Sequence, residues 1–233
     1  FNVYKESKVY TKFAWGDELT SQTINPDGDS VTTQWLYYED EGGDGDNYTH
    51  LKAMITDTKH WERYGYDEYG RLSRKISQLD TDAFVPLETM NDAATGNLDT
   101  VYAYQSADLS DGGSDPETIT EVIQKVGGSA VSTRYTVTWS WTATGGQDLY
   151  EIWDIRCPTA DPKASEAGAT DEDKRVAYLN KVFAGTVDAQ VTKTWKYEPG
   201  DDNEFEVAKR EHADGQWTFY NRSTAGTKVV TSG

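Results

Sequence analysis

Val31-Thr32-Thr33-Gln34-Trp35-Leu36-Tyr37 returns later in the chain as Val191-Thr192-Lys193-Thr194-Trp195-Lys196-Tyr197, so the pattern V-T-x-x-W-x-Y occurs twice. Tyr135-Thr136-Val137-Thr138-Trp139-Ser140-Trp141 is a looser third copy. In that copy Tyr135, Val137, Trp139 and Trp141 fall on one side of an extended chain, and Thr136, Thr138, Ser140 and Thr142 on the other. This is the period of two of a half-buried strand. A repeat has to be read before any local motif, because it sets the architecture into which motifs fit.

The match extends beyond the strand. Each of the first two copies runs into an acidic, glycine-containing loop, Glu39 to Asn47 and Glu198 to Glu204. A second matched block follows: Trp61, Tyr64 and Gly70 have the spacing of Trp217, Tyr220 and Gly226, and Leu51 and Val207 precede their Trp by the same interval. Two ordered blocks joined by similar loops define a repeating unit, a small supersecondary element that buries its apolar face by stacking on its neighbours.

Inside the first unit stands Tyr64-Gly65-Tyr66-Asp67-Glu68-Tyr69-Gly70-Arg71-Leu72. Read physically it is a hairpin: Tyr64 and Tyr66 share a face of the incoming strand, Asp67 to Gly70 turn the chain, and Arg71-Leu72 begin the return. The segment resembles the YD repeat, Y-x-Y-D-x-x-G-R-L, of bacterial Rhs proteins, toxin-complex shells and the teneurin barrel. The second unit, Tyr220-Asn221-Arg222-Ser223-Thr224-Ala225-Gly226-Thr227-Lys228, keeps the first Tyr and the Gly and loses the second Tyr, Asp, Arg and Leu. The resemblance implies an all-β fold of antiparallel hairpins forming a curved sheet, part of a barrel or shell with cargo inside. The structural motif residues are then Trp35, Tyr37, Trp61, Tyr64, Tyr66, Asp67, Gly70, Arg71 and Leu72 in one unit, and Trp195, Tyr197, Trp217, Tyr220 and Gly226 in the other. Several Rhs members also carry a self-cleaving region marked by paired Asp-Pro motifs. Here Asp115-Pro116 and Asp161-Pro162 lack the surrounding pattern, so architecture alone is carried over.

Turn signals punctuate the rest of the chain at Asn25-Pro26-Asp27-Gly28, Gly127-Gly128, Gly145-Gly146, Pro199-Gly200 and Asp214-Gly215. No composition shift marks a boundary, so residues 1–233 read as one array with clear units at 31–72 and 191–228, interrupted by a long loop at 159–173. Asp115-Pro116-Glu117, with Ile119, Val122, Ile123 and Val126 before Gly127-Gly128, carries helix start, spacing and stop signals. Its β-branched residues suit a hairpin into Val131–Trp141 equally well, and the resemblance favours the strand. Asp171 to Phe183 is expected to hold one or two helical turns. Phe1, Val3 and Tyr4 alternate from the first residue and Val229-Val230 run almost to the last, so the array is expected to continue into further repeats or to pair with another subunit.

Composition narrows the function. Leu, Ile, Val and Phe make up just 39 of 233 residues and the net charge is −18, the profile of a poorly folding chain. Eight Trp and fifteen Tyr offset that deficit by supplying the missing apolar area. Forty acidic against 22 basic residues repel a phosphate backbone, which argues against nucleic acid as a partner. No apolar run is long enough for a transmembrane segment. Cys157 is the sole cysteine, so no internal disulfide framework exists, and it reads as a small buried hydrophobe.

Catalytic chemistry finds little purchase. No G-x-S-x-G, H-E-x-x-H or phosphate-cradling glycine loop occurs, and His50, His60 and His212 lack metal-ligand spacing. The loop holding Asp40, Asp44, Asp46 and Asn47 is the nearest approach to a calcium site, without the distal Glu of a calcium hand. Asn47-Tyr48-Thr49 and Asn221-Arg222-Ser223 are glycosylation sequons. The expectation is therefore a non-enzymatic, cofactor-free structural repeat module of a secreted or cell-surface protein, partnered by further repeats, another subunit or encapsulated cargo. The alternative is a carbohydrate-binding module or glycan-active enzyme that engages surface glycan through exposed aromatics and acidic loops.

Overall fold

The computed structural model describes residues 5–25, 30–56, 60–79, 96–107, 109, 117–142, 148–197, 207–222 and 228–232. The turns expected at residues 25–28, 145–146 and 199–200, the second acidic loop, the terminal residues Phe1 to Tyr4 and Gly226 lie wholly or largely outside them. The strands are β1 (Lys5–Phe13), β2 (Gly16–Asn25), β3 (Val31–Tyr37), β4 (Leu51–Thr56), β5 (Trp61–Tyr66), β6 (Leu72–Gln78) and β7 (Asn97–Ala107). They continue as β8 (Glu117–Val126), β9 (Ser129–Thr142), β10 (Asp148–Arg156), β11 (Gln190–Tyr197), β12 (Val207–Glu211), β13 (Trp217–Arg222) and β14 (Lys228–Ser232), with helix α1 (Asp171–Phe183) between β10 and β11.

The fourteen strands form one sheet whose order follows the sequence from β1 to β14. Local connections suffice for such an order, since each antiparallel strand returns beside its predecessor. The all-β antiparallel expectation holds, and the curved barrel or shell is corrected: the order begins at β1 and ends at β14 without joining them, and the sheet is neither closed nor strongly curled. Closure requires the first and last strands to exchange ladder hydrogen bonds, and β1 pairs with β2 while β14 pairs with β13. Among the described residues, no helix is long and apolar enough to cross a membrane.

The segment before Gly127-Gly128, with its competing helix and strand signals, is strand β8. Gly127 and Gly128 have φ of 56° and 79°, the two consecutive positive values that a tight hairpin turn of the right twist requires, and glycine alone meets both without strain.

The chain divides into two compact units, residues 1–102 with 124–130, and 103–123 with 131–233. In the first, Ala53, Arg63, Ile76 and Asp99 stand opposite one another across β4, β5, β6 and β7, and all four are buried. Arg74 clamps the Asp99 carboxylate with two nitrogens, each at 2.9 Å. This two-pronged geometry suits a charge held away from water.

In the second unit Ile119, Tyr135, Val137, Trp139 and Ile155 make a sheet face against which Tyr178, Leu179 and Val182 of α1 pack. The helix is longer than the turn or two expected, because its start is well built. Thr170 accepts the Asp173 N–H at 3.1 Å while the Asp173 carboxylate accepts the Thr170 N–H at 3.0 Å, and three acids occupy the first turn. Arg175, Tyr178, Leu179 and Val182 form its buried stripe at helical spacing. Full burial of a side chain such as Leu179 contributes about 1.5–3 kcal/mol.

The repeating unit corresponds to β3–β6 and β11–β14. Ala53↔Arg63, Met54↔Glu62 and Ile55↔Trp61 in one are matched in register by Lys209↔Phe219, Arg210↔Thr218 and Glu211↔Trp217 in the other. The first strand of each unit departs from this match. Leu36 stands opposite Ala53, yet Trp195, not Lys196, stands opposite Lys209, a difference of one residue. One residue of slip exchanges the faces of a strand. Trp195 is therefore buried on the face of Lys209 and Phe219, whereas Trp35 is half-buried beside Met54 on the opposite face.

Candidate functional site

Three constellations gather the side chains capable of chemistry: the YD-like turn with its acidic loop, the aromatic rows, and a buried charge cluster in the second unit.

In the turn, the Asp67 side chain organises the backbone. Its Oδ1 accepts the N–H groups of Tyr69 and Arg71 at 3.0 and 2.9 Å, and its Oδ2 takes the Arg71 guanidinium through two nitrogens, each at 2.8 Å. Partial desolvation raises the carboxyl's pKa, but the Arg71 and Tyr69 donors outweigh it and hold the group below the usual range. Gly70 has φ of 72°, and a Cβ there would lie 3.0 Å from the His50 ring, so another residue would be strained in its backbone and crowd the ring. His50 in turn packs on Tyr66 with ring centres 4.4 Å apart.

The acidic loop is folded onto this turn. Asn47 Oδ1 accepts the Tyr66 N–H at 2.8 Å, and Asn47 Nδ2 donates to the Asp44 carbonyl. Asp40 Oδ1 accepts the Gly42 N–H at 3.0 Å, and Asp44 Oδ2 accepts the Asp40 N–H at 2.8 Å. The carboxylates of Asp40 and Asp44 are thus engaged by loop backbone. Among the described residues, no group of three or more His, Cys, Asp or Glu could hold a metal ion. Asn47 serves its sequon poorly, because both ends of its amide are engaged.

Beside the turn, Tyr64 donates to Glu62 at 2.5 Å and Lys75 meets the same carboxylate at 2.7 Å. Desolvation opposes ionisation of Glu62, but these two partners prevail and its pKa is lowered. The Tyr64 hydroxyl is pushed well above its ordinary value by burial and by Glu62.

The aromatic rows use up their own faces. Trp195 stacks on Trp217 with centres 5.7 Å apart, and Trp217 on Phe219 at 6.2 Å. The Lys209 ammonium lies 4.0 Å from the Trp195 ring centre and 4.3 Å from that of Trp217, in contact with both rings. Lys193 covers Trp153 in the same way at 4.2 Å. Each contact is a cation–π interaction that occupies a ring face. Tyr197 and Tyr220 are half-buried, Trp61 is fully buried, and Tyr37 donates to the Leu19 carbonyl at 3.1 Å.

The third constellation escaped the sequence. Glu121 of β8 is almost inaccessible, and both its oxygens are engaged: Oε1 accepts the Tyr135 hydroxyl at 2.8 Å, while Oε2 accepts Lys163 Nζ and Arg175 NH2, each at 2.9 Å. Arg175 extends the network to Gln105 at 2.5 Å. Burial, with Glu121 alongside, drives the Tyr135 hydroxyl far above its ordinary range. Cys157, adjacent to Tyr178, is pushed up to about 11 by burial. Thr133 anchors the neighbouring segment by donating to the Ala160 carbonyl at 2.6 Å and accepting the Cys157 N–H at its own carbonyl.

Two cations and a hydroxyl fill three of the roughly four acceptor positions of this carboxylate, all from within the fold. The cluster is suited to fastening: it ties β7, β8, β9, the segment around Lys163 and α1 to one buried charge. A Glu in phase with Ile119 and Ile123 was the available signal, since β-strand alternation puts residue 121 on their face. In comparisons with known proteins, no family model and no curated sequence matches this chain.

Proposed function

We propose that this chain is a structural repeat module, a sheet-forming scaffold segment of the YD-repeat kind belonging to a secreted or surface-associated protein. The observation that carries the reading is the recurrence of one four-strand unit with its β4–β5 pairing reproduced residue for residue in β12–β13. Supporting it, several ionisable groups hold turns, strands or the helix in place. The Asp67–Arg71 pair fixes a hairpin, Arg74–Asp99 joins two strands, and Glu121 fastens the helix. The carbohydrate-binding alternative rests on Phe219, the one large aromatic of the Trp195 row that is about half exposed. It is weakened by Lys209, which occupies ring faces that a sugar would need.

Hydrogen exchange on the full chain tests the proposal. In a repeat array stability is set mainly between neighbours, so Trp61→Ala should raise exchange across β4–β6 and leave β11–β14 protected. Uniform loss of protection along the chain would refute a repeat module. Oligosaccharide binding that Phe219→Ala abolishes would transfer the assignment to the alternative.

A further inference from the structure

Across β10, β11, β12 and β13 one face of the sheet is a checkerboard of rings and charges. Glu151, Trp195, Lys209 and Phe219 stand opposite one another in one row, and Trp153, Lys193, Glu211 and Trp217 in the row beside it. The rows are offset by two residues on every strand, so all eight side chains share a face. The carboxylates have partners of their own. Glu151 accepts the Trp153 indole N–H at 2.5 Å, and Glu211 pairs with Lys193 at 3.6 Å. Lys209 is held differently: in a chain with forty acidic residues, its ammonium is partnered, among the described residues, by the Trp195 and Trp217 rings and by no carboxylate. In the first unit the matched position is Ala53, so the repeat itself does not call for an ammonium here.

A different cation suits this place better. A lysine ammonium is compact and strongly hydrated, with three protons to donate, and ring faces return little of the hydration it gives up. A quaternary ammonium has no N–H to leave unsatisfied and keeps the whole attraction of the rings. Phe219, about half exposed, stacks on Trp217 and carries the row of rings out to solvent, while the net charge of −18 draws cations toward the surface. We propose that Trp195 and Trp217 form a binding site for a trimethylammonium group, with Lys209 as its tethered competing occupant. Binding is an exchange: the ligand's cation takes the indole faces, and the Lys209 ammonium swings out and regains its water. The site goes beyond the scaffold reading and does not depend on it.

Calorimetry and indole N–H NMR shifts on the full chain, titrated with choline chloride, test the exchange. The parent protein should bind weakly and K209A at least roughly tenfold more tightly, because a competitor tethered beside the rings acts at a high effective concentration. K209Q, which keeps most of the stem, takes the place of K209A if that variant unfolds. Adding W217L to either should abolish binding, and the neutral isostere of choline, with tert-butyl in place of trimethylammonium, should not bind. Phosphatidylcholine vesicles separate the sources: flotation of K209A with them assigns a lipid headgroup, choline binding without flotation assigns a free small molecule, and both support the site. A folded K209A or K209Q chain whose indole signals choline leaves unmoved overturns it, as does equal binding of the isostere. Neither result bears on the repeat-module reading, which the exchange pattern of β4–β6 against β11–β14 tests separately.

Discussion

Replacing Glu121 with Gln probes the fastening role most directly. The amide keeps the shape of the carboxylate but not its charge, so Lys163 and Arg175, both buried, are left facing each other with no counter-ion. Removing one partner from a buried ion pair costs about 3–5 kcal/mol, because the remaining charge is stranded in low dielectric. Asp171 offers limited relief, since its carboxylate is 3.7 Å from Lys163 and largely in water. For a chain of this size about 1 kcal/mol corresponds to about 2–4 °C in melting temperature, so a fall of roughly 6–20 °C is expected. Urea titration gives the free energy, and hydrogen exchange localises it to α1 and residues 157–170. The companion variant Glu121→Leu/Lys163→Met/Arg175→Met removes all three charges together and should recover most of the loss, because apolar replacement of a whole buried charge cluster is often neutral or better. A Glu121→Gln protein within about 1 kcal/mol of the parent, with α1 still protected, would refute the reasoning, as the cost expected for a stranded charge is several times that.

Three further outcomes are expected. The Asp67, Glu62 and Asp173 carboxyls are all held below their ordinary values, so the stability they contribute is complete above the unfolded carboxylate range and is lost as pH falls through the folded values; urea midpoints should be level from about pH 7 to 5 and drop from about pH 4 downward. A midpoint unchanged down to about pH 3 would contradict this. Cys157, with its thiol pushed up to about 11, should react with iodoacetamide at about pH 8 at least roughly a hundredfold slower in the native protein than in urea, and prompt stoichiometric labelling would show the thiol to be open. Trp195→Ala should cost about 3–5 kcal/mol and Trp35→Ala about 1–2 kcal/mol, since the two Trp occupy opposite faces; equal losses in denaturant melts would count against the register difference.

The strands were legible because Thr, Val, Tyr and Trp alternate at a period of two, which is a property of neighbours in sequence. The faces were less so. Trp35 and Trp195 hold the same place in V-T-x-x-W-x-Y, and the seven residues carry nothing that distinguishes their environments. Their difference arises where each strand meets the next: the ladder shifts between Leu36 and Tyr37 in one unit and between Trp195 and Lys196 in the other. In the first unit that meeting is governed by the loop to Thr49, with Tyr38 and His50 closing it through backbone hydrogen bonds. The equivalent connection is shorter in sequence. A motif can therefore repeat faithfully while its register does not. The expected barrel failed at the same level, because closure depends on whether the end strands meet and not on any residue within a hairpin.

The Glu121 cluster was hidden for a different reason. At helical spacing Ile119, Val122, Ile123 and Val126 make an apolar stripe and Glu121 falls off it, harmless and solvated. At strand spacing Glu121 falls between Ile119 and Ile123 on the buried face, where an acid without partners is prohibitively costly. Choosing the strand therefore carried an obligation that the local pattern could not discharge: cations had to come from elsewhere. They come from the long connection between β10 and β11, Lys163 before the helix and Arg175 within it. The segment read as a loop is held down by that demand, and α1 has its buried stripe completed by Arg175. The helix and the acid are mutually dependent, since stripping α1 from the sheet would expose Leu179 and Val182 and strand Glu121 in the same step. This connection thus lies where the sheet would otherwise bury an uncompensated charge.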